Sequence, residues 1–186
     1  EMSKCVMYDF HYDHIRPLYG DKAKLLFTDT DSLTYHIQTD DLYADMAKNL
    51  DRYDTSNFEQ DHPLYSIKNK KVLGKFKSET GSRSASEFVG LRAKMYSLWI
   101  RQNEKPKMAV KGIKKSFVGK HVKHEQFLKA LKSKTRTEAT FRAFRSTNHV
   151  INTVEINKIC LNAWDDKRYI LDDGITTLAY GHKLLR

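Results

Sequence analysis

The first 37 residues contain one helical and two strand-like patterns of apolar positions. Residues 2–16 carry apolar side chains near a helical repeat, and Pro17 is expected to end that helix. Residues 23–27 (AKLLF) form a short apolar run with the length of a buried strand. Residues 32–37 (SLTYHI) alternate polar and apolar side chains, which is typical of a second strand. The pattern therefore predicts a helix followed by two strands.

Four polar residues, the TDTD of positions 28–31, separate these two predicted strands. Two strands joined by so short a polar segment are expected to pair as a β-hairpin over residues 23–38. The apolar first strand would anchor this hairpin in a core. The tip of the hairpin would be acidic, because it carries Asp29 and Asp31.

The rest of the chain indicates a mixture of helices and strands. A helix is expected over residues 40–50 with Thr39 as its N-cap, followed by an irregular loop over 51–70. Together with the hairpin, this mixture predicts the α+β class. The other predicted elements are strands at 72–77, 87–91, 94–100 and 107–110, a helix at 125–131, a strand-like region at 137–159, and a strand into an Asp-Gly turn at 169–175.

The charge balance favours a polyanionic partner. The 186 residues carry a formal net charge of +10 and a sequence pI of about 9.5, while hydrophobic residues make up 40%. Such a chain is expected to fold as one domain, or one domain with a small appendage. Nucleic acid and an anionic membrane surface both fit the charge, and a solvated lysine face is the plain alternative.

The remaining composition predicts an intracellular protein without a zinc site. Cys5 and Cys160 form no CxxC pair, so they are interpreted as two reduced thiols. His121 and His124 lack an evident third ligand and are interpreted as surface histidines. No apolar run approaches the ~20 residues that cross a bilayer, so no membrane association is expected.

Asp29 and Asp31 are the candidate chemical centre. Two carboxylates placed two residues apart at the end of a strand can point towards one small volume, where their repulsion is relieved by a cation. A hard dication such as Mg²⁺ prefers oxygen ligands and needs only one or two protein carboxylates. The alternative is that both are ordinary turn residues, since Asp suits turns. The other acidic pairs, at 40–41, 165–166 and 172–173, are interpreted as capping or turn residues.

The run LFTDTDSL at residues 26–33 resembles the third palm motif of family B DNA polymerases, and is closest to the protein-primed branch of viruses, linear plasmids and transposons. Three later segments agree with that family in their order along the chain. Residues 73–79 (LGKFKSE) resemble the short strand after the palm hairpin, and residues 92–96 (RAKMY) resemble the Lys-x-Tyr motif that contacts the primer end. Residues 110–115 (VKGIKK) resemble the Lys-Gly segment that leads into the thumb.

The resemblance implies a palm-type antiparallel sheet with flanking helices and a small thumb-like extension. Residues 1–115 would be a partial palm and residues 116–186 the thumb-like and C-terminal region. The implied activity is template-directed nucleotidyl transfer by a DNA-directed DNA polymerase, with Asp31 as principal ligand of catalytic Mg²⁺ or Mn²⁺ and Asp29 as its partner. The implied partners are primer–template DNA and deoxynucleoside triphosphates, with a terminal protein as a further primer.

Five basic or aromatic residues are the candidate DNA contacts. Lys94 and Tyr96 lie two apart on the predicted strand 94–100, so both are expected on one face. The alternative is a half-exposed strand on which Tyr96 packs against the sheet. Lys111, Lys114 and Lys115 surround Gly112, and they are interpreted either as a phosphate-binding patch or as a solvated lysine cluster.

The chain is expected to be part of a longer protein. It begins with Glu1, and only 28 residues precede Asp29, so the further palm aspartate and the nucleotide-binding fingers helix are not in this sequence. We therefore expect no activity from this segment alone. The alternative function is a non-catalytic DNA-binding module derived from such a polymerase. An unrelated basic, metal-dependent phosphotransferase would need a second acidic cluster, which the sequence does not offer.

Overall fold

The computed structural model describes residues 2–100, 105–164, 168–173, 176–179 and 181–185. The described chain has a mixed α+β architecture of small, mostly antiparallel sheets and a few helices, so the predicted α+β class is confirmed. It forms two compact units, Glu1–Ser86 with Ile100–Glu104 and Glu87–Trp99 with Lys105–Arg186. The division expected after residue 115, between a partial palm and a thumb-like region, stays a prediction. The acidic pair 165–166 and the glycine of the predicted Asp-Gly turn lie outside the described residues.

The first unit opens with a helical segment that is longer than predicted. Its middle turns, Asp9–Ile15, are π-helical, and the Arg16 N–H accordingly bonds to the His11 carbonyl five residues earlier. Pro17 does not end the segment, because it lies at the start of a new α-helical turn, where the missing N–H costs little. The segment consists of α1 (Met2–Tyr8), the π-helical segment (Asp9–Ile15), α2 (Arg16–Tyr19) and a 3₁₀ turn (Gly20–Lys22).

The predicted hairpin is confirmed as β1 (Ala23–Asp29) paired antiparallel with β2 (Ser32–Ile37). Its connection is two residues long rather than four. The prediction that β1 is buried is wrong, because Leu25 is 39% and Leu26 is 44% exposed. Within the described residues this sheet has only two strands, and its register shifts between Leu25 and Phe27. A two-stranded sheet with a bulge leaves part of an apolar strand uncovered.

The segment after the hairpin contains a short helix, α3 (Leu42–Ala47), rather than a helix over 40–50. Asp41 is its N-cap instead of Thr39, since the Asp41 carboxylate accepts hydrogen bonds from two backbone N–H groups of the first turn. The Thr39 hydroxyl donates to the Asp45 carboxylate at 2.7 Å instead. The predicted loop over 51–70 is mostly irregular, as expected.

A predicted strand at 72–77 is present only at its last two residues, in β4 (Phe76–Lys77). β4 pairs in parallel with the equally short β3 (Tyr53–Asp54), which follows a 3₁₀ turn at Leu50–Arg52. Gly74 has a φ of +80°, and Lys71 a φ of +60°. Backbone in this left-handed region cannot continue a strand, which explains the shortened β4.

The second unit is built on a three-stranded sheet covered by two helices. The core residues come from all of these elements, and Met95 and Phe127 in it are fully buried. The strand predicted at 107–110 is confirmed with the same bounds, and the helix predicted at 125–131 is three residues longer. The elements are β5 (Ala85–Arg92), β6 (Met95–Ile100), β7 (Lys107–Val110), α4 (Lys115–His121) and α5 (His124–Ser133).

His124 is buried, so its interpretation as a surface histidine is wrong. Only 3% of it is exposed, and its Nδ1 lies 2.7 Å from the hydroxyl of the fully buried Ser97. Its Nε2 faces the Glu87 carboxylate at 3.4 Å. The sequence conceals this because His124 begins α5, and only the packing of that helix on the sheet encloses the ring. His121 is exposed, as expected.

Residues 137–159 form one long hairpin, β8 (Glu138–Thr147) with β9 (Val150–Ile159). Asn148 and His149 turn the chain with φ values of 50° and 64°. Ala139 at the base of the hairpin belongs to the core, whereas Phe144 is 83% exposed. The described C-terminal part adds β10 (Arg168–Ile170), β11 (Thr177–Ala179) and a 3₁₀ turn at Lys183–Leu185.

Candidate metal site and nucleic-acid interface

The hairpin tip places both candidate metal ligands on one tight turn. Asp29 is the last residue of β1 and Asp31 the second residue of the turn, with Thr30 between them. The Asp31 N–H donates to the Asp29 carbonyl at 2.7 Å, and the Ser32 hydroxyl donates to the same carbonyl at 3.2 Å. The Asp29 carbonyl thus accepts two hydrogen bonds, one from the backbone of the turn and one from the first residue of β2.

Thr30 holds this turn in an unusual conformation. Its φ is +58°, in the left-handed region that a β-branched residue rarely adopts. Such strain costs on the order of 1–3 kcal/mol and is concentrated at functional sites. An ordinary turn would carry Gly or Asn at this position. Lys94, in the equivalent turn between β5 and β6, has the same φ of +58°.

The hairpin tip carries two carboxylates as candidate ligands for a dication. Asp29 is half-buried, and its Oδ1 accepts a hydrogen bond from the Thr30 hydroxyl at 3.2 Å, while Asp31 is exposed. Two carboxylates match the number that Mg²⁺ takes from protein when substrate phosphates and water supply its other ligands. Across the residues that the structure describes, no group of three or more His, Cys, Asp or Glu side chains could hold a metal. The remaining ligands of a metal centre would have to come from elsewhere.

Lys94 is not on a strand, so the reason given for placing it beside Tyr96 is wrong. It lies in the tight turn between β5 and β6 with a φ of +58°, and β6 begins one residue later. Tyr96 is on β6, opposite Ala109 of β7. Its ring stacks on Phe88 with 6.0 Å between centroids, and the residue is half-buried. Tyr96 therefore packs on the sheet, as the structural alternative expected.

Lys94 is instead brought to Lys111, because the Lys111 N–H donates to the Lys94 carbonyl at 3.1 Å. Both side chains are exposed at the same end of the sheet. Gly112 follows with a φ of +85°, and a Cβ built there would have no neighbour within 4 Å. The glycine is thus required by the backbone conformation and leaves open space beside two lysines, which suits close approach of a phosphate.

The long hairpin β8–β9 adds one basic residue that the sequence did not single out. The Lys158 ammonium lies 3.4 Å from the Gly112 carbonyl, a contact across 46 residues that no local pattern marks. The Lys114 ammonium lies 3.5 Å from the backbone carbonyl of Arg142. The Arg142 side chain is on the other face of the hairpin, because Lys158 pairs with Ala139 and side chains alternate along a strand. We call the four exposed residues Lys94, Lys111, Lys114 and Lys158 the basic surface.

Arg142 and Glu155 form a cross-strand pair of opposite charge on the other face of this hairpin, because the register places them directly opposite one another. Lys115, the fifth predicted contact residue, begins α4 next to Lys114 and is exposed. Asp29 and Asp31 belong to the first compact unit, whereas Lys94, Tyr96 and the lysines of 111–115 belong to the second.

Comparison with known proteins adds no identification. No protein family matches the chain, and neither a curated protein nor a solved structure matches it. Of the helices that the structure describes, none has both the length and the apolar character needed to cross a membrane.

Proposed function

We propose that this chain is part of a family B DNA-directed DNA polymerase of the protein-primed type, performing template-directed nucleotidyl transfer in DNA replication. The observation that carries the proposal is the two-residue turn of Thr30 and Asp31, which follows Asp29 directly at the tip of a β-hairpin and has a positive φ at Thr30. The motif around this turn, LFTDTDSL, resembles the third palm motif of that family. A palm-type arrangement of the sheets is part of the proposal.

Each named residue has a role in this reaction. Asp31, with Asp29 as its partner, would hold Mg²⁺ or Mn²⁺. When bound, the metal would lower the pKa of the primer 3′-hydroxyl and neutralise the negative charge of the departing pyrophosphate. Thr30 keeps the two carboxylates on one turn. The basic surface would bind the phosphates of primer–template DNA, which sets the position of a duplex without reading its sequence.

The segment alone should not complete the reaction. Two-metal nucleotidyl transfer needs carboxylates that bridge two ions about 4 Å apart, and the hairpin offers two. We therefore propose that a further carboxylate and the groups that bind the incoming triphosphate come from another part of a longer polymerase.

The metal assignment is tested by titrating the protein with Mn²⁺ and following the loss of the free-ion signal by electron paramagnetic resonance. Binding is expected for the unchanged chain and should be lost in Asp31→Asn, because an amide is a far weaker ligand for a hard cation. Asp40→Asn is the matched control, since Asp40 is an exposed aspartate outside the hairpin. Equal Mn²⁺ binding by the unchanged chain and by Asp31→Asn would contradict the polymerase proposal.

A second candidate function is a non-catalytic DNA-binding module. The observation that favours it is the basic surface, which the second unit assembles by its own contacts. If about five cations contact phosphates, the logarithm of the DNA association constant should fall with the logarithm of salt concentration with a slope of about −4 to −5. Lys94→Ala with Lys111→Ala should reduce that slope by about 2.

Two comparisons separate the two functions. Lys129→Ala with Lys132→Ala removes the same charge from the exposed side of α5 and should change the slope much less. If the unchanged chain gave a salt slope near zero, it would not bind DNA through phosphate contacts, and both proposed functions would be excluded. DNA binding that persists in a chain without Mn²⁺ affinity would favour the module.

A further inference from the structure

The π-helical segment, Asp9–Ile15, makes two similar histidine–tyrosine contacts with different strands of the first unit. His11 Nδ1 lies 2.9 Å from the Tyr35 hydroxyl, and Tyr35 belongs to β2 of the metal hairpin. His14 Nε2 lies 2.8 Å from the Tyr53 hydroxyl, and Tyr53 belongs to β3. Short π-helical insertions are rare in proteins, but those that occur are often at functional sites. They shift side chains relative to their positions on a regular α-helix.

The contact between His11 and Tyr35 is both a hydrogen bond and a ring stack. The two ring planes are inclined by 11°, with 5.8 Å between centroids. Burial raises the pKa of Tyr35 to about 12, so its hydroxyl keeps its proton at neutral pH and can donate to the histidine nitrogen. The contact therefore fixes the direction of the Tyr35 side chain as well as its distance from the helix.

The hairpin needs such an external restraint. Its two-stranded sheet is partly uncovered at Leu25 and Leu26, and isolated two-stranded hairpins are marginally stable in water. Tyr35 pairs with Leu25, so it holds the hairpin at its exposed part. Groups that bind a metal together must be held within roughly 0.5 Å of the productive geometry by their surroundings.

We propose that His11 is a positioning residue for the carboxylates of Asp29 and Asp31, acting through Tyr35. Its effect on metal binding rests on the proposed function, whereas its effect on the order of the hairpin does not. The structure supplies a matched control, since the bond between His14 and Tyr53 has the same chemistry, begins in the same helical segment and ends on another strand.

The experiment compares Tyr35→Phe with Tyr53→Phe by amide hydrogen exchange of peptides covering β1 and β2, and by the same Mn²⁺ titration. Each substitution removes one hydroxyl and keeps the ring. Tyr35→Phe should speed exchange in the hairpin about fivefold, the effect of one net hydrogen bond on a local opening equilibrium. Its Mn²⁺ affinity should fall as well, because the two carboxylates are then held less precisely. Tyr53→Phe should leave the exchange rate of the hairpin amides and the Mn²⁺ affinity within about twofold of the values of the unchanged chain.

A rescue pair tests His11 itself. His11→Asn retains an acceptor near the position of Nδ1 and should restore most of the protection that His11→Leu loses, with far-ultraviolet circular dichroism confirming that both variants fold. The positioning role would be overturned if the hairpin amides exchanged equally fast in Tyr35→Phe and Tyr53→Phe. It would also be overturned if His11→Asn and His11→Leu lost the same amount of protection in the hairpin. An unchanged chain that fails to bind Mn²⁺ would contradict the proposed function, while the exchange comparison would still decide the role of His11.

Discussion

Replacing Asp54 by Asn should destabilise the first unit more than any exposed acidic substitution in it. Asp54 ends β3 and is 5% exposed. Its Oδ1 accepts the Ser56 N–H at 3.0 Å, and its Oδ2 accepts the Lys71 N–H at 3.3 Å and the Lys77 ammonium at 3.4 Å. An asparagine could keep the first bond, but its NH₂ group would face two donors at the second position. The carboxylate therefore cannot be replaced by its amide without leaving buried groups unsatisfied.

The pKa of Asp54 gives the size of the expected loss of unfolding free energy. Burial alone would raise this pKa, but the hydrogen bonds from Ser56 and Lys71 and the charge of Lys77 outweigh burial and lower it from 3.8 to about 2. Because the folded state binds the proton less tightly than the unfolded chain, the ionised carboxylate contributes roughly 2 kcal/mol at neutral pH. We expect Asp54→Asn to lose about 2–3 kcal/mol of unfolding free energy, including the unsatisfied donors.

The assay is urea unfolding followed by the nuclear magnetic resonance signals of β3 and β4. The difference in unfolding free energy between the unchanged chain and Asp54→Asn should have its full size above about pH 4. It should shrink as the pH falls towards about 2, because protonation of Asp54 removes the stabilisation by the ionised carboxylate. Asp51→Asn is the control, since Asp51 is an exposed aspartate three residues away. A loss for Asp54→Asn no larger than that for Asp51→Asn, or one independent of pH, would refute the reasoning.

Three further substitutions test the second unit through the fluorescence of Trp99 and Trp164 during urea unfolding. Ser97→Ala should cost about 1–3 kcal/mol because it leaves the buried His124 Nδ1 without its 2.7 Å partner, and a cost below about 0.5 kcal/mol would contradict that bond. Phe127→Ala should cost about 3–5 kcal/mol, since this fully buried ring is in the centre of the core; a loss below about 1 kcal/mol would contradict that placement. Gly112→Ala should cost about 1 kcal/mol from its φ of +85° although the site has room for a methyl group, and a stabilising effect would contradict that conformation.

Local pattern was sufficient for several elements and for the carboxylate hairpin. The apolar run before residue 28 and the alternation after residue 31 predicted two paired strands, and their pairing places Asp29 opposite Ser32. The strand at 107–110 and the helix at 125–131 were likewise predicted from the sequence. These features depend on neighbouring residues, because a strand repeats every two residues and a helix every 3.6. The bounds of α3 were harder to predict, because Thr39 and Asp41 compete as its cap.

Sequence by itself thus determined that a strand, two close aspartates and a second strand follow one another, and that an excess of basic residues lies downstream. Tertiary structure alone decided that Leu25 and Leu26 are partly exposed, that His124 is enclosed and that Lys94 adjoins Lys111. It also brought Lys158 to Gly112, between the lysines of 111–114. The physical reason is that burial and long-range pairing depend on which surfaces meet in space, whereas a sequence pattern records only what each segment prefers.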